Sequence, residues 1–125
     1  MNEKKTIVTG GAGFIGSHIV DRLLGDGHQV TVIDNFSTGR PENLSHQKGH
    51  PNLILIESDV TDKKAISPLF ENIDWVFHLA AVADIVPSIQ KPDKYFRSNV
   101  EGTFNVLEIC REKKIKRFIY AASSS

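Results

Sequence analysis

The sequence has little of the chemistry that marks disulfide-bonded or metal-binding proteins. Cys110 is its single cysteine, which excludes an intrachain disulfide and a cysteine-rich metal site. Four histidines show no metal-ligand spacing with Cys110 or with one another: His18, His28, His46 and His50. We therefore expect no bound metal. One cysteine also fits a reducing compartment, for which the cytoplasm is the expected location.

Long apolar runs and an excess of charge of either sign are also lacking. No window approaches the roughly 18 apolar residues needed to cross a bilayer, and residues 53–56 are the most continuous run. The charged residues 1–5 lead into too few apolar residues for a secretion signal. With 15 basic and 15 acidic side chains, the chain has no global field that would attract nucleic acid. We expect a soluble protein with no membrane or nucleic-acid partner.

Short apolar runs alternate with longer stretches of helical period. The runs are rich in β-branched and aromatic residues, which is typical of strands in a parallel sheet covered on both faces. They predict strands over residues 6–8, 29–33, 53–56, 75–77 and 118–120. Right-handed crossovers then give an α/β fold, a doubly wound Rossmann-type sheet in the order 3-2-1-4-5 with helices on both faces. We expect one domain over residues 1–125, with ligands bound beyond the carboxyl ends of the strands.

Two segments between these runs have a clear helical period. Residues 14–24 predict a first helix, whose apolar face consists of Ile15, Ile19, Val20, Leu23 and Leu24. The segment after Pro92 predicts the strongest helix, with an apolar face of Phe96, Val100, Thr103, Phe104, Leu107 and Cys110. Residues 62–71 predict a helix that Pro68 breaks or kinks. Residues 35–52, rich in Ser, Gly, Pro, Asn and His, predict mostly loop.

A glycine-rich turn joins the first strand to the first helix. Its sequence is Thr9-Gly10-Gly11-Ala12-Gly13-Phe14-Ile15-Gly16. Such a turn needs glycines for its tight backbone, for the approach of a pyrophosphate and for close packing of helix on strand, and the free amides of the helix start face the phosphates. Two registers fit, because Gly11 or Gly10 can serve as the first glycine before Gly13 and Gly16. Either register predicts a phosphate cradle.

Asp34 at the end of the second strand provides the matching acidic residue. A carboxylate there can bond both ribose hydroxyls of the adenosine and repel a 2′-phosphate, so Asp34 favours NAD over NADP. Arg40 is the competing signal, because a nearby arginine can accept that phosphate. An ordinary turn followed by a capping aspartate is the alternative without a ligand.

The glycine turn is one of several motifs in a fixed order along the chain. The others are Asp34-Asn35-Phe36-Ser37-Thr38-Gly39, Asp59-Val60, His78-Leu79-Ala80-Ala81, Asn99-Val100-Glu101-Gly102-Thr103 and the closing serines. Together they resemble the extended short-chain dehydrogenase/reductase family, in particular its NAD-dependent epimerase/dehydratase branch with UDP-glucose 4-epimerase-like members. The resemblance covers the whole chain.

The resemblance implies a set of cofactor contacts. It selects the register Gly10, Gly13 and Gly16, with Phe14 and Ile15 between them. Asn35, Ser37, Thr38 and Gly39 would continue the adenosine-ribose site, and Asp59 and Val60 would flank the adenine. From the residues alone, Asp59 could equally cap the next helix. Leu79, Ala80 and Ala81 would run under the cofactor, Asn99 would reach toward it, and His78 would serve packing rather than catalysis.

The chemistry of the family needs a Tyr-x-x-x-Lys pair, which this sequence does not contain. In such a pair a lysine follows the tyrosine by four residues, but here Asn99 follows Tyr95 and Ser124 follows Tyr120 at that spacing. The resemblance therefore implies an incomplete, inactive NAD-binding domain without the later strands and the substrate domain. The catalytic serine or threonine of the family falls on the terminal serines, where we prefer Ser123 and then Ser124.

Two classes of function follow from these patterns. The first is part of an NAD-dependent enzyme, a homodimer that oxidises and re-reduces a UDP-hexose hydroxyl for epimerisation, with 4,6-dehydration or decarboxylation of a nucleotide sugar as alternatives. The second is a dinucleotide-binding module that uses the same cradle without turnover.

Overall fold

Five parallel strands form one sheet in the order β3-β2-β1-β4-β5, so the predicted strand order is confirmed. The structure is a computed structural model that describes residues 3–36, 40–79 and 100–120. The strands are β1 (Lys5–Thr9), β2 (Gln29–Asp34), β3 (Leu53–Glu57), β4 (Trp75–His78) and β5 (Arg117–Tyr120). Each contains its predicted run and extends slightly beyond it.

Three α-helices connect the strands within the described residues. They are α1 (Phe14–Gly25), α2 (Lys63–Ile66) and α3 (Gly102–Glu112). Two 3-10 helices add to them, at Pro41–Gln47 and Ser67–Phe70. No helix of the described segments is both long and apolar enough to cross a membrane.

Among the described residues, the core consists of two apolar clusters on opposite faces of the sheet. Neighbouring residues of β1 divide between them, because successive side chains of a strand point to opposite faces. Val8 packs with the α1 side chains Val20, Leu23 and Leu24, whereas Ile7 packs with residues of α2 and α3. Helices therefore cover both faces, as predicted for a doubly wound sheet.

The register brings the carboxyl ends of three central strands to one level. Thr9 of β1 pairs with Ile33 of β2 and with His78 of β4. The segments that follow these strands therefore emerge side by side at one edge of the sheet. This edge is where a doubly wound fold binds its ligand.

Two predictions about these connecting segments are corrected, and one is confirmed. Residues 35–52 are less irregular than predicted, because Pro41–Gln47 forms a 3-10 helix whose Leu44 enters the core. Residues 62–71 form two short helices, which confirms the predicted break. Pro68 stands in the first turn of the second helix, where its missing N–H costs no bond. Ile15 does not belong to the buried face of α1, since its side chain is 61% exposed.

The apolar face predicted for α3 is also wrong in part. Val100, Phe104 and Leu107 are exposed, and the core instead receives Val106 and Ile109, together with the correctly predicted Cys110. The helix carries two apolar stripes, and its period alone could not identify the one that packs on the sheet. Phe96 lies outside the described residues.

Candidate functional site

The glycine turn has a backbone geometry that side chains would disrupt. Gly10 adopts a left-handed φ of 71° and its carbonyl accepts the N–H of Gly13 at 3.1 Å. A Cβ on Gly16 would lie 2.2 Å from that same carbonyl oxygen, which no real contact allows. Gly10, Gly13 and Gly16 therefore form one closed turn. Gly11 has a separate packing reason, because a Cβ there would lie 2.8 Å from Val32.

Helix α1 begins without a capping side chain. Its N-cap is Gly13, and the first helical hydrogen bond runs from the N–H of Ser17 to the Gly13 carbonyl at 2.9 Å. Within the described part of the chain, the N–H groups of Phe14, Ile15 and Gly16 have no acceptor. Amides of this kind, with the positive end of the helix dipole behind them, suit a phosphate.

Asp34 lies beside this turn, and its carboxylate accepts two backbone N–H groups. Oδ2 accepts from Ala12 at 3.0 Å, and Oδ1 accepts from Phe36 at 2.8 Å. The second bond holds Phe36 at a left-handed φ of 60°, which is uncommon for a bulky residue. Each carboxylate oxygen has a second lone pair, so Asp34 can still accept two ligand hydroxyls.

The segment after β3 supports a different role for Asp59 than capping a helix. The Asp59 carboxylate accepts the N–H and the hydroxyl of Thr61 at 2.9 and 2.8 Å, and the side-chain amide of Asn35 at 3.3 Å. The cap of α2 is Asp62, whose side chain accepts the N–H of Ala65 at 3.3 Å. The capping alternative for Asp59 is therefore wrong, and Asp59 and Asn35 are brought together as a pair.

Val60 is positioned from the side of α3. The buried amide of Asn105 donates to the Val60 carbonyl at 3.0 Å. A Cβ on Gly102 would lie 2.6 Å from Val60 Cγ2, so glycine permits the helix to approach this closely. Sequence reasoning missed Asn105, for which the pattern gave no signal. A glycine inside an amphipathic helix was an available signal for Gly102.

His78 is fully buried and lies between two threonines. Its Nδ1 is 2.7 Å from Thr9 Oγ1, and its Nε2 is 3.0 Å from Thr103 Oγ1. Burial lowers the pKa of the imidazole from 6.5 to about 4, so the ring is neutral near pH 7. His78 thus ties β1, β4 and α3 together, which supports the packing role.

Leu79 begins the segment after β4, and its N–H donates to both the carbonyl and the hydroxyl oxygen of Thr9 at 3.0 Å.

The remaining predicted site residues lie outside the described residues: Ser37, Thr38, Gly39, Ala80, Ala81, Asn99, Ser123 and Ser124. The described part of the chain contains no cluster of three His, Cys, Asp or Glu side chains that could hold a metal ion.

Asn43 is a further residue that sequence reasoning missed, because it falls in the stretch predicted as loop. Its side-chain amide donates to the carbonyl of Ala12 in the glycine turn at 2.7 Å. The backbone N–H of Arg40 donates to the same oxygen at 3.1 Å. The glycine turn is therefore contacted by Asp34 at the end of β2 and by Arg40 and Asn43 of the segment that follows.

Known proteins are similar to this chain in sequence and in fold. UDP-glucuronic acid decarboxylase 1 of Danio rerio is 41% identical over 99% of the chain. A UDP-N-acetylglucosamine 4-epimerase from Methanobrevibacter ruminantium, solved with UDP-N-acetylmuramic acid, superposes with a TM-score of 0.90 at 41% identity over 99% of the chain. A UDP-glucose 4-epimerase from Stenotrophomonas maltophila, solved with NAD and formylated UDP-arabinopyranose, gives a TM-score of 0.88 at 26% identity over 98% of the chain.

The chain spans only part of the length of these relatives. It covers 28% of the decarboxylase, 39% of the first epimerase and 38% of the second. A sequence model of the NAD dependent epimerase/dehydratase family matches residues 6–125. With that match over almost the whole chain, and with the glycine turn and Asp34 in place, the chain belongs to the NAD-dependent epimerase/dehydratase family.

Proposed function

We propose that this chain binds NAD as part of an enzyme that epimerises a UDP-hexose. The observation that carries the proposal is the bond between Asp34 and Ala12 beside the uncapped start of α1. One compact site thus offers a carboxylate for ribose hydroxyls and free amides for phosphates, which is the combination that a dinucleotide requires. The family to which the chain belongs is NAD-dependent.

The described residues fit the parts of NAD in order along the sheet edge. The free amides of Phe14, Ile15 and Gly16 would hold the pyrophosphate, and Asp34 with Asn35 would hold the adenosine ribose. Asp59 and Val60 would flank the adenine, and Leu79 would lie under the cofactor. Ser37, Thr38, Gly39, Ala80, Ala81 and Asn99, outside the described residues, complete the proposed set.

The preference for NAD over NADP rests on charge. Asp34 would place a negative carboxylate where NADP has its 2′-phosphate, and the two groups would repel each other. Arg40, among the described residues, is a cation near the turn that would have the opposite effect, and its backbone N–H donates to the Ala12 carbonyl. We propose that Asp34 dominates, because it is the residue whose carboxylate is held at the turn itself.

The proposed reaction is transient oxidation of a sugar hydroxyl followed by re-reduction on the opposite face. NAD, when bound, accepts and returns the hydride. Ser123 or Ser124 would hydrogen-bond the sugar hydroxyl. Because the sequence contains no Tyr-x-x-x-Lys pair to remove the hydroxyl proton, we propose that the chain by itself binds the cofactor without turnover. Homodimerisation and a cytoplasmic location remain proposals for the enzyme.

Decarboxylation of a UDP-uronic acid is the second candidate. Its support is that the decarboxylase of Danio rerio is as similar in sequence to this chain, at 41% identity, as the most similar epimerase cited above. The two activities differ in product. Incubation of the whole enzyme, of which this chain is proposed to be a part, with UDP-glucose, UDP-N-acetylglucosamine or UDP-glucuronate, followed by proton NMR, distinguishes a 4-epimer from a UDP-pentose formed with loss of carbon dioxide. Absence of all products would favour a dinucleotide-binding module or 4,6-dehydration of another nucleotide sugar.

Thermal melting of the purified chain with NAD, NADP or neither tests the binding proposal. A ligand that binds only the native state raises its apparent stability, by about 2.7 kcal/mol at a hundred times the dissociation constant. We expect a rise in melting temperature with NAD and a smaller one with NADP. Equal rises would contradict the role of Asp34 in selection, and no rise with either would contradict NAD binding.

A further inference from the structure

The 3-10 helix Pro41–Gln47 is fixed to both the core and α1. Its Leu44 is 3% exposed and packs in the cluster that contains Val8 and Val20. Two side chains anchor it to α1, since His46 Nε2 and Gln47 Nε2 lie 2.7 and 3.0 Å from Asp21 Oδ1, so neither contact is needed alone. Because the helix is held in this way, its other side chains have a fixed position relative to α1 and the core.

The contact at its other end is the Ala12–Gly13 peptide of the glycine turn. The carbonyl of this peptide accepts the side-chain amide of Asn43 at 2.7 Å and the N–H of Arg40 at 3.1 Å. Its N–H, on Gly13, donates to the Gly10 carbonyl at 3.1 Å. Both ends of the peptide are therefore bonded, and its plane is fixed.

The plane of this peptide sets the direction of the amides that follow. Gly13 is the N-cap of α1, and the N–H groups of Phe14, Ile15 and Gly16, which have no acceptor among the described residues, come directly after it. Rotation of the Ala12–Gly13 peptide would turn the backbone at the point where the helix begins. Preorganised donors bind an anion more tightly than donors that must first be ordered.

We propose that Asn43 is a positioning residue that holds the glycine turn in the conformation that binds pyrophosphate. This inference rests on the proposed binding of NAD. Asn43 acts through the Ala12 carbonyl. Its side chain forms the shorter of the two hydrogen bonds to that oxygen. A carboxamide suits the task because it donates an N–H without adding a negative charge beside the phosphates.

The test compares Asn43→Ala with Gln47→Ala in the purified chain. Both changes remove a side-chain amide from the same 3-10 helix, but only the first removes the bond to the glycine turn. Dissociation constants are measured for NAD, ADP-ribose and adenosine, of which adenosine has no pyrophosphate. One neutral hydrogen bond corresponds to a change of about threefold to tenfold.

We expect Asn43→Ala to raise the dissociation constants of NAD and ADP-ribose about fivefold, and that of adenosine less than about twofold. Gln47→Ala should leave all three dissociation constants within about twofold of the wild-type values. Equal weakening of adenosine and NAD by Asn43→Ala, or equal effects of the two substitutions, would show only a loosened fold and would overturn the proposal.

Amide hydrogen exchange of the ligand-free protein gives a second measurement that does not depend on NAD. We expect the Gly13 N–H to exchange about tenfold faster in Asn43→Ala, while the core amides of Val8 and Val32 keep their rates. Unchanged Gly13 exchange would overturn the inference. Faster exchange in a protein that binds no NAD would support the role of Asn43 in ordering the turn and would contradict the proposed function instead.

Discussion

The Oδ2 atom of Asp34 accepts the backbone N–H of Ala12 at 3.0 Å, and this bond joins the end of β2 to the turn that follows β1. The other carboxylate oxygen holds Phe36. Asp34 is only 6% exposed, so the two N–H groups it accepts depend on it rather than on water. One side chain thus holds the glycine turn and the segment after β2 together, and in the proposed NAD site the same carboxylate would also accept the ribose hydroxyls.

Replacing Asp34 with alanine should therefore affect both stability and cofactor binding. We expect Asp34→Ala to lower the free energy of unfolding by about 1–3 kcal/mol, since it leaves two backbone N–H groups without an acceptor. NAD affinity should fall at least about tenfold, because hydrogen bonds to a charged group are worth more than neutral ones. Denaturant unfolding and calorimetric titration measure the two effects.

Asp26→Ala provides the control for Asp34→Ala. Asp26 carries the same carboxylate but pairs with the exposed Arg22 at the end of α1, at 3.1 Å. An exposed pair of this kind contributes about 0–1 kcal/mol, and we expect no change in NAD affinity. A similar loss of NAD binding in both variants would contradict the role assigned to Asp34.

The close approach of Gly16 to Gly10 gives a second prediction, which concerns stability. In Gly16→Ala the new Cβ would lie 2.2 Å from the Gly10 carbonyl oxygen, and backbone on both sides would have to move. We expect a loss of about 3 kcal/mol or more and no detectable NAD binding. Circular dichroism melting is the measurement.

Gly25→Ala is the matched control on the same helix. A Cβ on Gly25 would meet nothing within 4 Å, so the fold should keep or gain up to about 1 kcal/mol of stability. Equal melting temperatures for Gly16→Ala and Gly25→Ala would contradict the close approach of Gly16 to the Gly10 carbonyl.

A third prediction concerns acid stability and His78. Because the folded pKa is lowered from 6.5 to about 4, the unfolded chain binds a proton between these pH values while the folded protein does not. Stability should therefore fall as the pH drops from about 6.5 to about 4, and His78 should account for about 2 kcal/mol between pH 7 and pH 5. Urea unfolding followed by the fluorescence of Trp75, the single tryptophan, measures this.

The variant His78→Gln isolates the contribution of that side chain. It should lose this part of the pH dependence, whereas His18→Gln, which changes an exposed ring, should keep it. An NMR titration of the wild-type protein checks the same point without a substitution: the His78 ring should remain neutral at pH 5. A ring that titrates near pH 6.5 would refute the prediction.

The fourth prediction tests the packing of α3 against Val60. Gly102→Ala would place a Cβ 2.6 Å from Val60 Cγ2, and overpacking of this kind costs about 1–3 kcal/mol. In a Val60→Ala background the obstructing methyl groups are absent, so the same substitution should cost less than about 1 kcal/mol. A double-mutant cycle from denaturant unfolding gives the coupling. Additive effects would mean that Gly102 and Val60 do not meet.

Much of the fold was predictable because its signals are local. The runs around Val8, Val32 and Val76 are short, β-branched and apolar without alternation, which is typical of a strand buried on both faces. Right-handed crossovers then leave one simple strand order. The glycine turn and Asp34 were also visible, because short spacings between a strand, a turn and a helix carry them.

Predictions failed where a choice depended on contacts between distant segments. Helix α3 has apolar residues on two sides, and Phe104 is exposed while Val106 is buried, because the sheet meets only one side. Asp59 was a plausible cap of the next helix from sequence, but folding makes Asp62 the cap, through its bond to the Ala65 N–H, and places Asp59 beside Asn35.

The sequence by itself thus determined the parallel sheet, its order, the glycine turn and the acidic residue that accompanies it, since each follows from the period or spacing of residues near one another in the chain. The tertiary structure decided which residues support that site. Asn43 contacts Ala12 and Asn105 contacts Val60 across long separations in sequence. A side-chain amide forms such bonds wherever folding places a carbonyl opposite it, and no local pattern records that placement.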